Sequence, residues 1–291
     1  MGYLAIVKYQ TCMENNILGW IYYNHAVITT TAPHEEPNLK PLLDGSIWNL
    51  KSSKGDKPLL ARYTTDFDCG NDTGFWFIIK DAPFKMEDLS KKYKKNVERA
   101  LERCEVRRID AVAEFDDIYD VYDAAVDNYQ NVDNKTSKEG MREGVKKDGL
   151  EYWGAYDKKT GRLAGWMSCS NNGNWTETIS AKYHPELLSS RPSDAIHYAI
   201  LNHYLNELGQ KYVCSGSRSL NHKTNVQDYK IHNWKFRQAF CKLHIVYRKD
   251  FNIIIKLIYP FRNLLMKFDN ITAIHQVNGV LKMEEIARKS R

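Results

Sequence analysis

Three stretches rich in aromatic and β-branched residues, 151–156, 162–169 and 175–183, follow one another with only turn-forming residues between them. The first pair is joined by DKKTG at 157–161, and Asn172-Gly173 turns into the third. Both are hairpin signals, so the three form an antiparallel meander. Ser193 or Asp194 then caps a helix with Ala195, Ile196, Ala199, Ile200 and Leu208 apolar, and Gly209 ends it. A short strand at 211–214, a helix from Thr224 and a long strand at 236–247 complete the run. A meander that then takes in a helix-connected strand confines the chain to one mixed sheet flanked by helices, of the α/β or α+β class.

The flanking sequence fits around that sheet. Residues 1–84 are strand-rich, with candidates at 19–31 and 58–65 and a continuous apolar run, GFWFIIK at 74–80, that reads as a strand buried on both faces. Residues 32–43 carry three prolines and read as a loop. A helix over 87–104 places Leu89, Tyr93, Val97, Ala100, Leu101 and Cys104 on one face, and its other face is basic, with Lys95 and Arg99 among six cations. A strand at 105–109 and helices at 114–129 and 137–147 lead into the meander. Beyond it, 251–268 has apolar residues at helical spacing, interrupted by Lys256, Arg262 and Lys267, with a kink expected at Pro260. Two readings fit this segment: a helix packed over the preceding sheet, or a basic amphipathic helix on a membrane surface. The expected organisation is a strand-rich subdomain at 1–84, a sheet domain at 85–250, and amphipathic helices at 251–291.

Composition removes several function classes. A net charge of +6 over 291 residues permits anionic partners without marking a dedicated nucleic-acid binder. The six cysteines include no C-x-x-C pair, which fits reduced thiols in the cytoplasm. The nine histidines have no metal-ligand spacing, so no metal site is expected. No G-x-G-x-x-G, P-loop or G-x-S-x-G occurs, and no stretch reaches an uncharged transmembrane length.

The densest candidate site lies at 211–248. Ser215-Gly216-Ser217 ends a strand with residues small enough for close approach. Thr224-Asn225-Val226-Gln227 fits a capping box, and a helix N-terminus there offers free N–H groups to an anion. Arg218, His222 and Lys223 add positive charge beside it.

The element order from 105 to 248 resembles the GNAT (N-acetyltransferase) superfamily. The basic helix followed by EVRRID is similar to the FemAB-like branch, and so is the pair Tyr229-Lys230 just ahead of Trp234-Lys235-Phe236. The resemblance implies a GNAT-like mixed sheet with a shortened, degenerate N-terminal half. It implies N-acyl or aminoacyl transfer to an amine on a small envelope or sugar-nucleotide precursor in a bacterial cytoplasm. The amine would attack directly, with acyl-CoA or aminoacyl-tRNA as co-substrate and tRNA as a partner. Lys230, Glu177, Asp228 and Tyr229 are then the expected catalytic group, and Arg218, His222, Lys223, Arg191, Lys95 and Arg99 the expected donor- and substrate-binding group. One departure bears on the donor. Where acetyl-CoA enzymes carry a glycine in the pyrophosphate loop, Arg191–Ile196 has Asp194, whose carboxylate repels a pyrophosphate. A GNAT-like protein that binds an anionic ligand without transfer is the alternative.

Overall fold

The computed structural model describes residues 16–127, 135–220 and 225–290. In chain order the elements are β1 (Trp20–Tyr23), β2 (Ala26–Thr29), the one-turn α1 (Lys40–Leu43), β3 (Leu60–Thr65), β4 (Trp76–Lys80), α2 (Lys91–Arg103) and β5 (Cys104–Ile109). Then come α3 (Phe115–Asp127), α4 (Lys138–Val145), β6 (Glu151–Asp157), β7 (Leu163–Asn171), β8 (Trp175–Tyr183) and α5 (Pro192–Leu201). The chain continues through β9 (Tyr212–Ser217), α6 (Val226–Trp234), β10 (Arg237–Phe240), β11 (Lys242–Tyr247), α7 (Lys249–Ile258), α8 (Arg262–Leu265) and α9 (Thr272–Lys289). The class is α/β with two mixed sheets, β10-β4-β9-β8-β7-β6-β5 and β1-β2-β3-β11, flanked by helices.

Two compact units share these elements. The described residues of the first lie within Ile78–Gly216 and Val226–Arg237; those of the second lie within Lys8–Phe77, Ser217–Asn225 and Gln238–Arg291. The grouping is discontinuous where the sequence suggests three consecutive segments, because β11 is antiparallel to β3, nearly two hundred residues upstream.

In the first unit, β6, β7 and β8 form the expected three-stranded meander, and β5 adds a fourth strand antiparallel to β6. Alternation along the strands sends side chains to two faces. Tyr152 and Trp166 meet Phe115, Ile118 and Met141 of α3 and α4 on one face. Trp153 faces the other way and donates its indole N–H to Tyr204 Oη at 3.1 Å, just after α5. Helix α2 begins at Lys91, not at Glu87, because Ser90 is its cap and accepts the Tyr93 N–H. Leu89 is buried all the same, ahead of the helix. Helix α5 starts one residue before the expected cap: Arg191 takes a left-handed conformation (φ 62°), and Pro192, which lacks an N–H, occupies the first helical position. The helix relaxes into a π-helical turn at Asn202–Glu207 before Gly209 (φ 60°) ends it.

In the second unit, β1 and β2 pair antiparallel around Asn24-His25, both at positive φ as a tight hairpin requires. β2 runs parallel to β3. Trp20, Tyr22, Val27, Ile47, Leu50 and Ala61 form one buried cluster. Leu60, Phe75, Leu243 and Ile245 form another with Ile286 and Ala287 of α9. Tyr247 donates to the buried Glu284 at 2.9 Å, which ties β11 to α9.

Four expectations are corrected here. The single strand 236–247 is two strands, interrupted at Cys241, because β10 belongs to the larger sheet and β11 to the smaller. The strand at 211–214 runs on through Ser217. Residues 40–43 of the expected loop form the one-turn α1, with Pro41 within its first turn. The segment 251–268 breaks at Pro260 into α7, a 3-10 turn and α8, and its apolar stripe does not pack on a sheet: Ile253, Leu257, Phe261 and Leu264 are each more than half exposed. The side chain that α7 buries is Ile255. Tyr129, placed at the end of the 114–129 helix, and the Thr224 cap lie outside the described residues. Among the described residues no helix is long and apolar enough to cross a membrane.

Candidate active site

β8 and β9 begin as parallel partners and then separate. Trp175 pairs with Tyr212, Thr176 with Val213 and Glu177 with Cys214, and there the ladder stops. β8 continues to Tyr183 and β9 to Ser217. Two local features favour the parting. The β7–β8 register slips between Ser168 and Cys169, a bulge that leaves Ile179 without an opposite number and raises the local twist. On β9, Ser215-Gly216-Ser217 offers little side-chain surface for the neighbouring strand to pack on, and Gly216 sits at φ 79°.

Lys230 of α6 occupies the fork. It is 5% exposed. Its ammonium donates to Ser215 Oγ on β9 at 2.5 Å and to Thr178 Oγ1 on β8 at 3.2 Å, and it lies 5.7 Å from the centre of the Phe236 ring. Among the described residues it has one hydroxyl from each parting strand and no carboxylate. Burial without a counter-charge penalises the cation and brings its pKa down to about 8.

Glu177 stands at the same fork on the other face of the sheet. Cys169 pairs with Thr178 and Ser170 with Glu177, so Thr178 and Glu177 point to opposite faces. The Thr178 face is the one Lys230 reaches. Glu177 Oε1 instead lies 4.0 Å from where a Cβ on Gly216 would stand. The glycine therefore leaves open the space directly against the carboxylate. Glu177 is half-buried, and desolvation lifts its carboxyl to about 7. Burial and the Glu177 charge push the thiol of Cys214, its register partner, well above the usual range.

Tyr229, beside Lys230, points into a hydrogen-bond cluster centred on Asp194. Tyr93 of α2 and Tyr229 of α6 both donate to Asp194 Oδ1, at 2.5 and 2.8 Å, and their hydroxyls are 2.7 Å apart. The Trp234 indole donates to Tyr229 Oη at 3.1 Å, and Arg191 pairs with Asp194 Oδ2 at 2.9 Å. His197 stacks on Trp234 at 5.4 Å. Burial first, then the Lys230 charge, depresses its imidazole to about 3, so it is neutral near pH 7. This cluster pins α6, and with it Lys230, to α2 and to the start of α5.

The same cluster occupies the start of α5, where a carrier pyrophosphate would sit on free N–H groups. Pro192 has no N–H, and the N–H groups of Asp194 and Ala195 both bond to Arg191 O, at 3.1 and 3.3 Å. The Arg191 guanidinium is matched by the Asp194 carboxylate.

No protein-family model matches the sequence, and no curated protein is similar to it. Solved structures are similar in fold. The crystal structure of FemX matches over 89% of this chain and 93% of that one, with a TM-score of 0.56 and 11% identity. The C-terminal domain of a protein assigned as a lysylphosphatidylglycerol synthetase, from Agrobacterium fabrum, matches over 81% of this chain and 82% of that one, with a TM-score of 0.51 and 10% identity. The fold is GNAT-like, of the FemAB type.

Within this FemAB-type fold the expected site residues separate into groups. Lys230 and Glu177 meet at the fork, from opposite faces. Tyr229 is half-buried in the Asp194 cluster, where burial and the Asp194 charge lift its phenol to about 12. Asp228 is exposed, about 200° around α6 from Lys230 at 100° per residue. Lys95 and Arg99 stand on the solvent face of α2, away from the buried Tyr93, Val97 and Ala100. Arg191 is paired within the cluster. Arg218 belongs to the second unit, where its guanidinium covers the Trp76 ring at 4.4 Å and donates to Gly74 O. His222 and Lys223 lie outside the described residues. Thr178, Ser215, Tyr93 and His197 were not anticipated. The sequence carries no signal for them, since each is defined by a partner at least fifteen residues away: Lys230 for Ser215 and Thr178, Asp194 for Tyr93 and Trp234 for His197.

Proposed function

We propose that this protein is an acyltransferase that moves an acyl or aminoacyl group from an activated carrier to a primary amine by direct attack. The observation that carries the reading is the Lys230 ammonium in the fork of β8 and β9, held by two hydroxyls and by no carboxylate. A cation so placed is free to meet negative charge that develops on a carbonyl oxygen entering the fork. Preorganised donors in a desolvated site are worth far more than the same groups in water. Glu177 supplies the complementary part from the other face. As a carboxylate with its pKa near 7, it accepts the proton that the attacking amine must lose. The amine nitrogen bonds to the carbonyl carbon, the oxygen charge rests on Lys230, and the carrier oxygen or sulfur leaves with the proton. Tyr229 and Asp194 act as struts that fix Lys230.

The filled start of α5 favours a donor without a pyrophosphate contact there, and so an aminoacyl-tRNA or another carrier over acyl-CoA. A small envelope precursor or sugar nucleotide bearing an amine is the acceptor this reading expects, in a bacterial cytoplasm. The test is to incubate the protein with charged tRNA pools, acyl-CoA thioesters and amine acceptors and to look for a new amide by mass spectrometry. A donor-dependent amide that needs Lys230 supports the proposal. The internal pairing of Arg191 with Asp194 favours a second reading, a binding protein of this fold without turnover. Saturable binding of an anionic ligand with no amide from any donor selects it.

A further inference from the structure

The exposed apolar surface of the second unit is concentrated in one segment. Of the large hydrophobic side chains that stand in solvent, Ile253, Ile254, Leu257, Phe261, Leu264, Phe268 and Ile271 fall between α7 and the start of α9, at 47 to 68% exposure. Within α7, Ile253, Ile254 and Leu257 lie within about 100° of arc at 100° per residue. Pro260 and the 3-10 turns at Tyr259–Phe261 and Met266–Phe268 interrupt the helix, yet the exposure pattern holds across the break. On the opposite side Ile255 is buried, and the buried Asn278 donates to Leu265 O at 3.1 Å. The segment is therefore anchored from behind and presents its apolar side outward. An apolar stripe of this size is unlike the scattered single hydrophobics of an ordinary surface.

The charges beside the stripe identify what it faces. Lys249, Lys256 and Lys267 are exposed. Lys249 and Lys256 lie about 20° apart on one flank of α7 at 100° per residue, and Lys267 follows in the 3-10 turn at Met266–Phe268. No carboxylate pairs with them among the described residues. The acids of the segment are already matched: Asp250 binds Arg248 at 2.7 Å, and Asp269 binds His275 at 3.1 Å and Asn278 at 2.7 Å. Arg262 is folded back over the Tyr259 ring at 4.5 Å. What remains unmatched is an apolar band accompanied by three cations. Protein–protein interfaces are depleted in lysine, whereas an interfacial membrane helix combines a strong apolar face with a lysine-rich flank.

We propose that the surface formed by 249–271 docks this protein on an anionic lipid bilayer. The apolar side chains enter the acyl–headgroup boundary, and Lys249, Lys256 and Lys267 meet lipid phosphates. Docking of this kind is peripheral and reversible, and it is independent of whether the fork in the first unit performs transfer.

The experiment is flotation of the full chain with vesicles of one part phosphatidylglycerol to two parts phosphatidylcholine, and with vesicles of phosphatidylcholine alone. Sedimentation equilibrium is run on the same samples without lipid. The wild-type chain is expected to float with the anionic vesicles and to stay behind with the neutral ones. Leu257→Glu and Phe261→Glu change side chains that are 68% and 60% exposed, so they leave the unfolding midpoint in place, and each abolishes flotation. Replacing the three lysines by glutamine lowers the ratio of bound to free protein on the order of 100-fold at low salt. Equal flotation on both vesicle types, or unchanged flotation of Leu257→Glu, overturns the proposal. Absence of flotation overturns it too, and self-association that Leu257→Glu disperses would then assign the face to a second copy of the chain.

Discussion

Lys230 and Glu177 reach the point where β8 and β9 part from opposite faces of one sheet. The ladder ends at the Glu177–Cys214 pair, the ammonium binds Ser215 and Thr178 on one side, and the carboxylate lies over Gly216 on the other. The two groups are shifted toward neutrality from opposite directions, Lys230 down to about 8 and Glu177 up to about 7. In both, burial without a counter-charge is the leading cause.

This pairing sets the pH dependence of transfer. Glu177 must be ionised to accept a proton, so kcat/KM rises as pH passes about 7. Lys230 must be protonated to hold an oxyanion, so it falls as pH passes about 8. The profile is a narrow bell. Rates measured across this range check it, and Glu177→Gln removes the acid limb.

Stability follows the same groups with the signs reversed from the usual cases. Lys230 has a folded pKa below its unfolded value, so above pH 8 the unfolded chain binds the extra proton and stability rises with pH up to about 10.5. For one group this amounts to at most about 3 kcal/mol. Lys182, buried on β8 and also lowered to about 8 by desolvation, adds to the trend. Glu177 works over a lower window: its raised pKa makes stability fall as pH climbs from 4.5 to about 7. Urea unfolding from pH 5 to 10 is expected to show a minimum between pH 7 and 8, shallower on its alkaline side in Lys230→Met.

Tyr229 is expected to behave as a strut. Tyr229→Phe removes one donor to Asp194 and the acceptor of the buried Trp234 indole N–H but leaves Tyr93 and Arg191 in place, at a cost of about 2 kcal/mol. Its transfer rate is expected to stay within about tenfold of wild type, far from the loss of a group that stabilises the transition state. Asp194→Ala strands two buried hydroxyls and costs about 2 kcal/mol or more. Thermal unfolding and turnover, measured together, separate the two roles.

Coenzyme A itself is expected to bind poorly, because the start of α5 bonds to its own Arg191 carbonyl and carries the Asp194 charge. A ligand at about a hundred times its Kd stabilises a protein by about 2.7 kcal/mol. Addition of millimolar coenzyme A is expected to leave the unfolding midpoint unchanged, while a productive carrier raises it.

Much of this architecture was legible in the sequence where local chemistry decides it. The meander follows from DKKTG and Asn172-Gly173, and α5 with its π-helical extension ends where Gly209 dictates. Long-range partners decide the rest. Nothing around Cys241 marks the change of sheet, since β4 and β3, the partners of β10 and β11, are far upstream. The 3.6-residue pattern of 251–268 identified an apolar stripe, but periodicity reports which side is apolar and not whether anything covers it. Lys230 stood out through its aromatic neighbour and a family resemblance. Thr178 and Ser215, the groups that hold it, are ordinary strand residues until the strands separate.

Single-turnover transfer by wild-type protein and Lys230→Met, assayed side by side with the same activated donor and amine, tests the role of the Lys230 ammonium most directly. The expected result is a fall of 10²- to 10³-fold, roughly the cost of losing one oxyanion donor, with an unfolding midpoint at or above wild type. Equal single-turnover rates in the two proteins would contradict it.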